Sequence, residues 1–172
     1  MARVFLGLGS NIERERYIVA GLDAMARMFS DFDHSSVYES DSIGFQGQAF
    51  LNMVIAVETQ LTIAELAKQL RQIEMEHGRP ENAPRFSARQ LDIDILTYAD
   101  RVGKIDGVEL PRPEIVENAF VLQPLAELAP EVYHPRLGVA YSQLWEEYDK
   151  GSQKIHRVDF EWRGRSISTA LS

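Results

Sequence analysis

Residues 91–98 restrict the possible fold more than any other part of the chain. They read Leu-Asp-Ile-Asp-Ile-Leu-Thr-Tyr, so aliphatic residues alternate with Asp92 and Asp94. This period of two is typical of a β-strand, in which alternate side chains lie on opposite faces. Both carboxylates are therefore predicted on one face with their Cα atoms roughly 6.5–7 Å apart, while Ile93 and Ile95 enter the core. Two carboxylates this close repel each other unless a cation lies between them.

Three arginines, Arg79, Arg85 and Arg89, precede this strand in a stretch rich in turn-forming residues. Carboxylates suit Mg²⁺ and guanidinium groups bind phosphate oxygens, so the combination indicates phosphoryl or pyrophosphoryl transfer from a nucleotide. The structural alternative is a solvated acidic face with ordinary surface ion pairs. Because the acids stand inside an aliphatic run, the functional interpretation is favoured.

Length and composition predict a soluble globular protein of one domain. The 172 residues are 45% hydrophobic and 26% charged, which fits one domain over residues 1–172. The chain has no cysteine, and its apolar N-terminal stretch is too short for a membrane span, so a cytoplasmic protein without a membrane partner is expected. A net charge of −8 argues against nucleic-acid binding, including an RNA-binding ferredoxin-like domain. A monomer or a weak dimer is expected.

The hydrophobic pattern predicts the order strand, helix, strand, strand, helix, strand over the first hundred residues. The order is the split-βαβ plan, so the predicted fold class is α+β, a ferredoxin-like α/β sandwich with C-terminal helices and an added strand. A turn at residues 9–11 is predicted to end the first strand, and a hairpin-type turn at residues 106–107 precedes another strand. The predicted strands are residues 4–8, 35–39, 50–59, 91–98 and 154–162, and the predicted helices are residues 14–29, 62–78, 116–128 and 141–148.

Residues 85–96 follow the pattern Arg-x-x-x-Arg-x-x-Asp-Ile-Asp-Ile-Leu, which resembles the signature of the 6-hydroxymethyl-7,8-dihydropterin pyrophosphokinase family. The resemblance runs nearly end to end, and its segments are specific in combination although each is weak alone. The other matching segments are Gly9-Ser10-Asn11, Phe50-Leu51-Asn52, Ile73-Glu74, Gly78-Arg79, Phe120-Val-Leu-x-Pro124-Leu and Glu127-Leu-Ala-Pro130.

The resemblance implies an enzyme that transfers a pyrophosphoryl group from ATP to the 6-hydroxymethyl oxygen of a dihydropterin and releases AMP, a step of folate biosynthesis. It implies that Asp92 and Asp94 bind two Mg²⁺ ions, with ATP as co-substrate. Arg79 and Arg89 match catalytic arginines of a loop that closes over the phosphates. The alternative is a divergent relative that binds pterin or nucleotide without turnover.

The resemblance also implies two further groups of binding residues. Asn52 would bind the pterin edge and two phenylalanines would sandwich its ring, although these phenylalanines alone read equally well as core. Glu74 would contact the nucleotide, with an ordinary surface acid as the alternative. The implied pterin-binding residues are Ser40, Ile43, Phe50, Asn52 and Phe120, and the implied nucleotide-binding residues are Glu74, Arg85, Phe86 and Arg112.

The sequence departs from the family pattern mainly on the phosphate side. Arg112 stands where the family has a phosphate-contacting histidine, and Asn118 and Glu81 stand where it has arginines. Arg112 restores a positive charge and can bind phosphate bidentately, whereas Glu81 adds a negative charge near a triphosphate. We therefore expect the reaction to be retained with weaker ATP affinity or an altered loop-closing step. The remaining departures are Ser87-Ala88 in place of Gly-Pro and Asp41 in place of proline in a shortened pterin loop.

Overall fold

Strand β1 (Ala2–Ser10) lies inside the main sheet, because it pairs antiparallel with β4 (Phe50–Thr59) on one side and β5 (Asp92–Tyr98) on the other. The structure is a computed structural model that describes residues 1–40, 49–78 and 90–171. Within these residues the main sheet also contains β2 (Asp33–His34), β3 (Val37–Ser40) and β8 (Ile155–Val158). Its six strands have the order β5-β1-β4-β3-β8, and β2 also pairs with β4.

Two helices cover one face of this sheet. Helix α1 (Arg14–Phe29) has the predicted bounds and packs one stripe, Ile18, Leu22 and Met25, against the sheet. Helix α2 (Ile63–Glu76) begins at a capping box: the Thr62 hydroxyl accepts from the Glu65 amide at 3.1 Å, and the Glu65 carboxylate accepts from the Thr62 amide at 2.9 Å. These hydrogen bonds lower the pKa of Glu65 and fix where α2 starts.

The opposite face is covered by the C-terminal helices, which are α3 (Glu114–Glu117), α4 (Ala119–Leu128) and α5 (Tyr141–Glu147). Glu127 on α4 fastens this layer to β3, because its carboxylate accepts hydrogen bonds from the Ser36 amide at 2.9 Å and the Tyr38 hydroxyl at 2.9 Å. Burial raises the pKa of Tyr38 to about 12, so its hydroxyl remains a donor at neutral pH. Helix α4 is thereby held over the sheet at a fixed position.

Three small differences separate the predicted elements from the observed ones. Strand β1 continues through Gly9 and Ser10, so the predicted turn at residues 9–11 is wrong for these two residues. The predicted helix at residues 116–128 is divided at Asn118, whose extended backbone separates α3 from α4. The predicted strand at residues 154–162 is two strands, and a third follows it. The strands outside the main sheet are β6 (Gly103–Ile105), β7 (Val108–Leu110), β9 (Phe160–Trp162) and β10 (Arg165–Ser168).

A mixed α/β fold with an antiparallel sheet is therefore confirmed. In the described ranges 1–40, 49–78 and 90–171, every helix is too short or too polar to cross a lipid bilayer.

Candidate active site

The floor of the candidate site is formed by glycines that lie between two acids and an amide. Along one row of the sheet Asp92 pairs with Gly9, and Gly9 pairs with Asn52 on its other side. In the next row of this face, Asp94 pairs with Gly7. Since side chains alternate along a strand, both acids lie on the same face, as predicted. The glycines have no side chains, so the surface between the acids and the amide stays open.

A cavity of about 840 Å³ lies over this floor and extends around the outer strand β5 to α2. This volume is in the range of small-molecule sites, roughly 300–1,000 Å³. Eight of the residues predicted to act in the site line it, and they come from six separate elements or connections. These residues are Ser40, Phe50, Asn52, Glu74, Asp92, Asp94, Arg112 and Phe120.

Asn52 is 9% exposed and its amide is held in one orientation. Its Nδ2 donates a hydrogen bond to the Ser40 hydroxyl at 3.0 Å. On the other side of the amide, a Cβ built on Gly9 would lie 2.9 Å from Asn52 Oδ1. A buried amide needs hydrogen-bond partners, and the Ser40 hydroxyl is one of them. Gly9 is needed because a larger residue would displace the amide oxygen.

Two phenylalanines, Phe50 at the start of β4 and Phe120 in the first turn of α4, contribute aromatic surface to the same cavity. Both are half-buried, so neither is an ordinary core residue. Glu127 fixes the position of α4 and therefore of Phe120 relative to the sheet. The arrangement can accept a flat, apolar ring that also needs a hydrogen-bonding edge.

Glu74 is 4% exposed, and the alternative of an ordinary surface acid is therefore wrong. It lies in the last turn of α2, and its Oε2 accepts a hydrogen bond from the Ile93 amide at 2.7 Å. Among the described residues, β5 is the outermost strand on this side of the sheet, so no described strand pairs with this amide. Glu74 takes the place of that missing neighbour and holds the backbone between Asp92 and Asp94.

Arg112 brings a positive charge to the acids from the connection between β7 and α3. Its Nη2 lies 3.4 Å from Asp94 Oδ1, and its Nε donates to Glu114 Oε2 at 2.7 Å. Burial lowers the pKa of Arg112, but the negative charges of Asp94 and Glu114 more than offset this, and the net change is upward. Arg112 is therefore a permanent cation beside Asp94.

The other predicted site residues lie outside the described residues. They are Ile43 and the phosphate-side residues Arg79, Arg85, Phe86 and Arg89, together with the departures at Asp41, Glu81, Ser87 and Ala88. Asn118, the third phosphate-side departure, lines the cavity, and its Oδ1 accepts a hydrogen bond from Gln153 Nε2 at 2.9 Å.

The sequence did not predict that Gly7 and Glu114 contribute to the site. It also did not predict that Gly9 leaves the space that the Asn52 amide oxygen needs. The two glycines carry a usable signal, because the Gly-Leu-Gly of β1 has the same period of two as the Asp-Ile-Asp of β5. A strand with glycines on one face leaves open space beside it for the functional side chains of a neighbouring strand. Glu114 offered no comparable signal, since an acid after a proline is common on surfaces.

The carboxylates of Asp92 and Asp94 fit Mg²⁺ better than they fit a metal ion whose ligands all come from the protein. In the part of the chain that the structure describes, no three His, Asp or Glu side chains come together as a candidate metal cage. Mg²⁺ commonly uses only one or two carboxylates and completes its octahedron with water and substrate phosphates. Two carboxylates on one open face, in front of a large cavity, match that pattern.

Comparison with known proteins identifies the family. The family model for 7,8-dihydro-6-hydroxymethylpterin-pyrophosphokinase matches residues 5–130. A 2-amino-4-hydroxy-6-hydroxymethyldihydropteridine pyrophosphokinase of Aquifex aeolicus is 38% identical over 137 residues, which cover 78% of this chain and 85% of that protein. The protein of the same name from Bacillus subtilis is 38% identical over 161 residues, which cover 88% and 95%.

A solved structure supports the fold independently of sequence. A Plasmodium falciparum HPPK-DHPS structure superposes with a TM-score of 0.70 at 14% identity and covers 97% of this chain. The chain spans only 50% of the length of that protein. With the match of the family model and the two bacterial relatives, the conclusion is that the chain belongs to the 7,8-dihydro-6-hydroxymethylpterin-pyrophosphokinase family.

Proposed function

We propose that this protein transfers pyrophosphate from ATP to 6-hydroxymethyl-7,8-dihydropterin in folate biosynthesis, giving AMP and the pterin diphosphate. Membership of the family and the names of relatives that match over most of their length support this reaction. The observation that carries it is the cavity in which Asp92, Asp94 and Arg112 lie in front of Asn52 and two phenylalanines. We call the part of the cavity at Asp92, Asp94 and Arg112 the polyanion site. The adjacent part at Asn52, Phe50 and Phe120 is the ring site.

The ring site is proposed to bind the pterin. Phe50 and Phe120 would stack on its two faces, and Asn52 would hydrogen-bond the amide-like edge of the heterocycle. Ser40 would keep the Asn52 amide aligned by accepting from its Nδ2. Ile43, outside the described residues, remains proposed as a further pterin contact.

The polyanion site is proposed to bind the triphosphate of ATP. Arg112 lines this part of the cavity beside Asp94, and its guanidinium can pair with phosphate oxygens bidentately. Arg79 and Arg89 remain proposed as catalytic cations, and Arg85 and Phe86 as nucleotide contacts. Glu74 is proposed to act on the nucleotide site through β5, since its carboxylate is already engaged by the Ile93 amide.

Asp92 and Asp94 are proposed to hold two Mg²⁺ ions. When bound, these ions neutralise charge that develops on the phosphate oxygens during transfer. The residues of the chain supply position: the sheet fixes both carboxylates on one face, the aromatic pair fixes the pterin, and Arg112 supplies fixed positive charge. The family mechanism requires no strong general base, so the hydroxymethyl proton can leave late in the reaction.

We further propose a single pyrophosphokinase-like domain over residues 1–172 with the ferredoxin-like plan. The strand order β5-β1-β4-β3, with α1 and α2 on one face, supports that plan. A monomer or weak dimer in the cytoplasm remains our expectation. The net charge of −8 is consistent with small-molecule substrates rather than nucleic acid.

The test is to incubate the purified protein with ATP, Mg²⁺ and 6-hydroxymethyl-7,8-dihydropterin and to measure AMP. We expect AMP that depends on the pterin, and a reaction without pterin is the control for simple ATP hydrolysis. Pterin-dependent quenching of the intrinsic fluorescence without AMP would instead support the alternative, a ligand-binding relative without turnover.

A further inference from the structure

Arg112 connects two acids that belong to different parts of the site. Its backbone amide donates to the Leu96 carbonyl at 2.8 Å, which ties this connection to the strand that carries Asp94. From that anchor the side chain holds Glu114 through Nε at 2.7 Å and approaches Asp94 through Nη2 at 3.4 Å. The shorter contact is therefore to Glu114, and the contact to Asp94 is the looser of the two.

The contact to Asp94 lies where water and ligands can reach it. The side chains of Arg112 and Asp94 are 33% and 32% exposed, whereas that of Glu114 is 18% exposed. Both Arg112 and Asp94 line the cavity in which the nucleotide is proposed to bind. An anion or a cation that enters the cavity can therefore replace one partner of the Arg112–Asp94 pair while the fold stays intact.

We propose that Arg112 is a positioning residue that serves as an internal cation for Asp94 in the nucleotide-free protein and competes there with the divalent metal. The inference rests on the proposed function, since it assumes the metal site at Asp92 and Asp94. A metal ion and a guanidinium both seek the oxygens of the same carboxylate, so each weakens the binding of the other. The metal alone therefore binds more weakly than the two acids would otherwise allow.

The nucleotide relieves this competition. Its phosphates offer Arg112 a more highly charged partner than Asp94, and they supply the additional oxygens that Mg²⁺ prefers. Glu114 keeps the guanidinium within reach of the cavity while it exchanges partners. Metal and nucleotide consequently favour each other's binding, and by linkage the effect is equal in both directions. The site then loads with the metal–nucleotide complex rather than with metal first.

The experiment measures Mn²⁺ binding by electron paramagnetic resonance, because Mn²⁺ suits the same oxygen ligands as Mg²⁺. In nucleotide-free protein, Arg112→Gln should tighten Mn²⁺ binding by about threefold, the size expected for losing one partly exposed ion pair. With a nonhydrolysable ATP analogue present, the same variant should bind the nucleotide more weakly. Unchanged or weaker Mn²⁺ binding in the nucleotide-free variant would overturn the inference.

A double variant separates contact from general charge. Arg112→Gln with Glu114→Gln removes one positive and one negative charge, so the net charge stays the same. If the gain in Mn²⁺ affinity persists, it comes from the loss of the Arg112 contact to Asp94; a return to the parent affinity would indicate a through-space effect and refute direct competition. Should Asp94→Asn leave Mn²⁺ binding unchanged in every protein, the metal site of the proposed function fails, and this inference fails with it.

Discussion

The two halves of one sheet face differ in what lies above them. At the far half, Phe5 and Leu96 are buried under the C-terminal helices, and the Phe5 ring contacts the Tyr141 ring edge-on at 6.4 Å. At the near half, the same strands present Gly9, Asn52 and Asp92 to an open cavity. The register does not change between the halves on β1 and β4. On these two strands the side chains change from apolar to absent or polar, whereas β5 also shifts its register against β1 between Phe5 and Leu6.

The difference shows that the site forms where small and polar side chains replace the apolar side chains that pack against helices elsewhere on this face. No extra helix or strand is needed to form it. The far half supplies the buried area that holds the sheet and the helical layer together, so the near half does not need to contribute to stability in the same way. Hydrogen bonds from Asn52 to Ser40 and from the Ile93 amide to Glu74 help to position the polar groups of the near half. The comparison therefore predicts that mutations in the two halves have different kinds of effect.

The largest expected effect tests whether the near half carries the chemistry. Asp92→Asn and Asp94→Asn should each lower turnover by about 100-fold or more, because a charged ligand is lost from a site that needs cations at the phosphates. Pterin binding should be almost unchanged. Turnover is measured as AMP release, and pterin affinity by fluorescence quenching. A rate within a factor of a few of the parent protein would show that the carboxylate pair is not used.

The next effect tests whether the far half carries the stability. Phe5→Ala should lower the free energy of unfolding by about 3–4 kcal/mol, since Phe5 is 4% exposed and its removal leaves a cavity under Tyr141. The measurement is urea unfolding followed by circular dichroism. In the fraction that remains folded, the KM for both substrates should be that of the parent protein. If the KM for either substrate changed by a factor comparable with the change in the unfolding equilibrium constant, the far half would also act on the site. The distinction between the halves would then fail.

A third prediction concerns the hydrogen bond that holds the acid-bearing strand. Glu74→Leu leaves the Ile93 amide without its acceptor and should cost about 1–3 kcal/mol of stability, together with a raised KM for ATP. Glu74→Gln is the matched control, because its carbonyl oxygen can accept the same hydrogen bond, and it should retain most of both properties. Equal losses in the two variants would mean that the charge of Glu74, and not its acceptor, is what matters.

The smallest effect compares the two glycines of β1. Gly9→Ala places a Cβ 2.9 Å from Asn52 Oδ1, so the amide must move, and pterin affinity should fall by about fivefold to tenfold. Gly7→Ala is the control: its Cβ would lie 3.5 Å from a Leu96 methyl group, an ordinary contact, and affinity should stay within about twofold. Titration of each variant with pterin, followed by fluorescence, gives both values. Equal affinities would refute the role assigned to Gly9.

The sequence predicts the near half of the site better than the layer that covers it. Alternation of Asp92 and Asp94 with isoleucines indicates a strand with both acids on one face, and the Thr62 capping box marks where α2 begins. Both features depend on neighbours along the chain, so they are visible without a structure. The resemblance to the family adds Asn52 and Phe120, whose partners lie far away in sequence.

Contacts between distant segments account for what the sequence does not predict. The break at Asn118 depends on Gln153, whose Nε2 donates to Asn118 Oδ1 and whose Oε1 accepts from the Ala119 amide. The pairing of Arg112 with Glu114 and Asp94 depends on how the connection after β7 folds back onto β5. The extension of β1 depends on distant partners, because Gly9 pairs with Asn52 and Asp92 and Ser10 pairs with Leu51. No periodicity within one segment reports such contacts.

The position of β1 between β4 and β5 has a consequence for how the protein is made. Strand β1 acquires its β5 neighbour only after about ninety further residues have been added, which takes roughly 5–18 s at typical rates of synthesis. Once β4 has been synthesised it can shield one edge of β1, while the other edge remains available to unrelated chains until β5 follows. The interval between the synthesis of β1 and that of β5 is therefore a period in which this protein is open to misassembly, and a chaperone that covers β1 would act then.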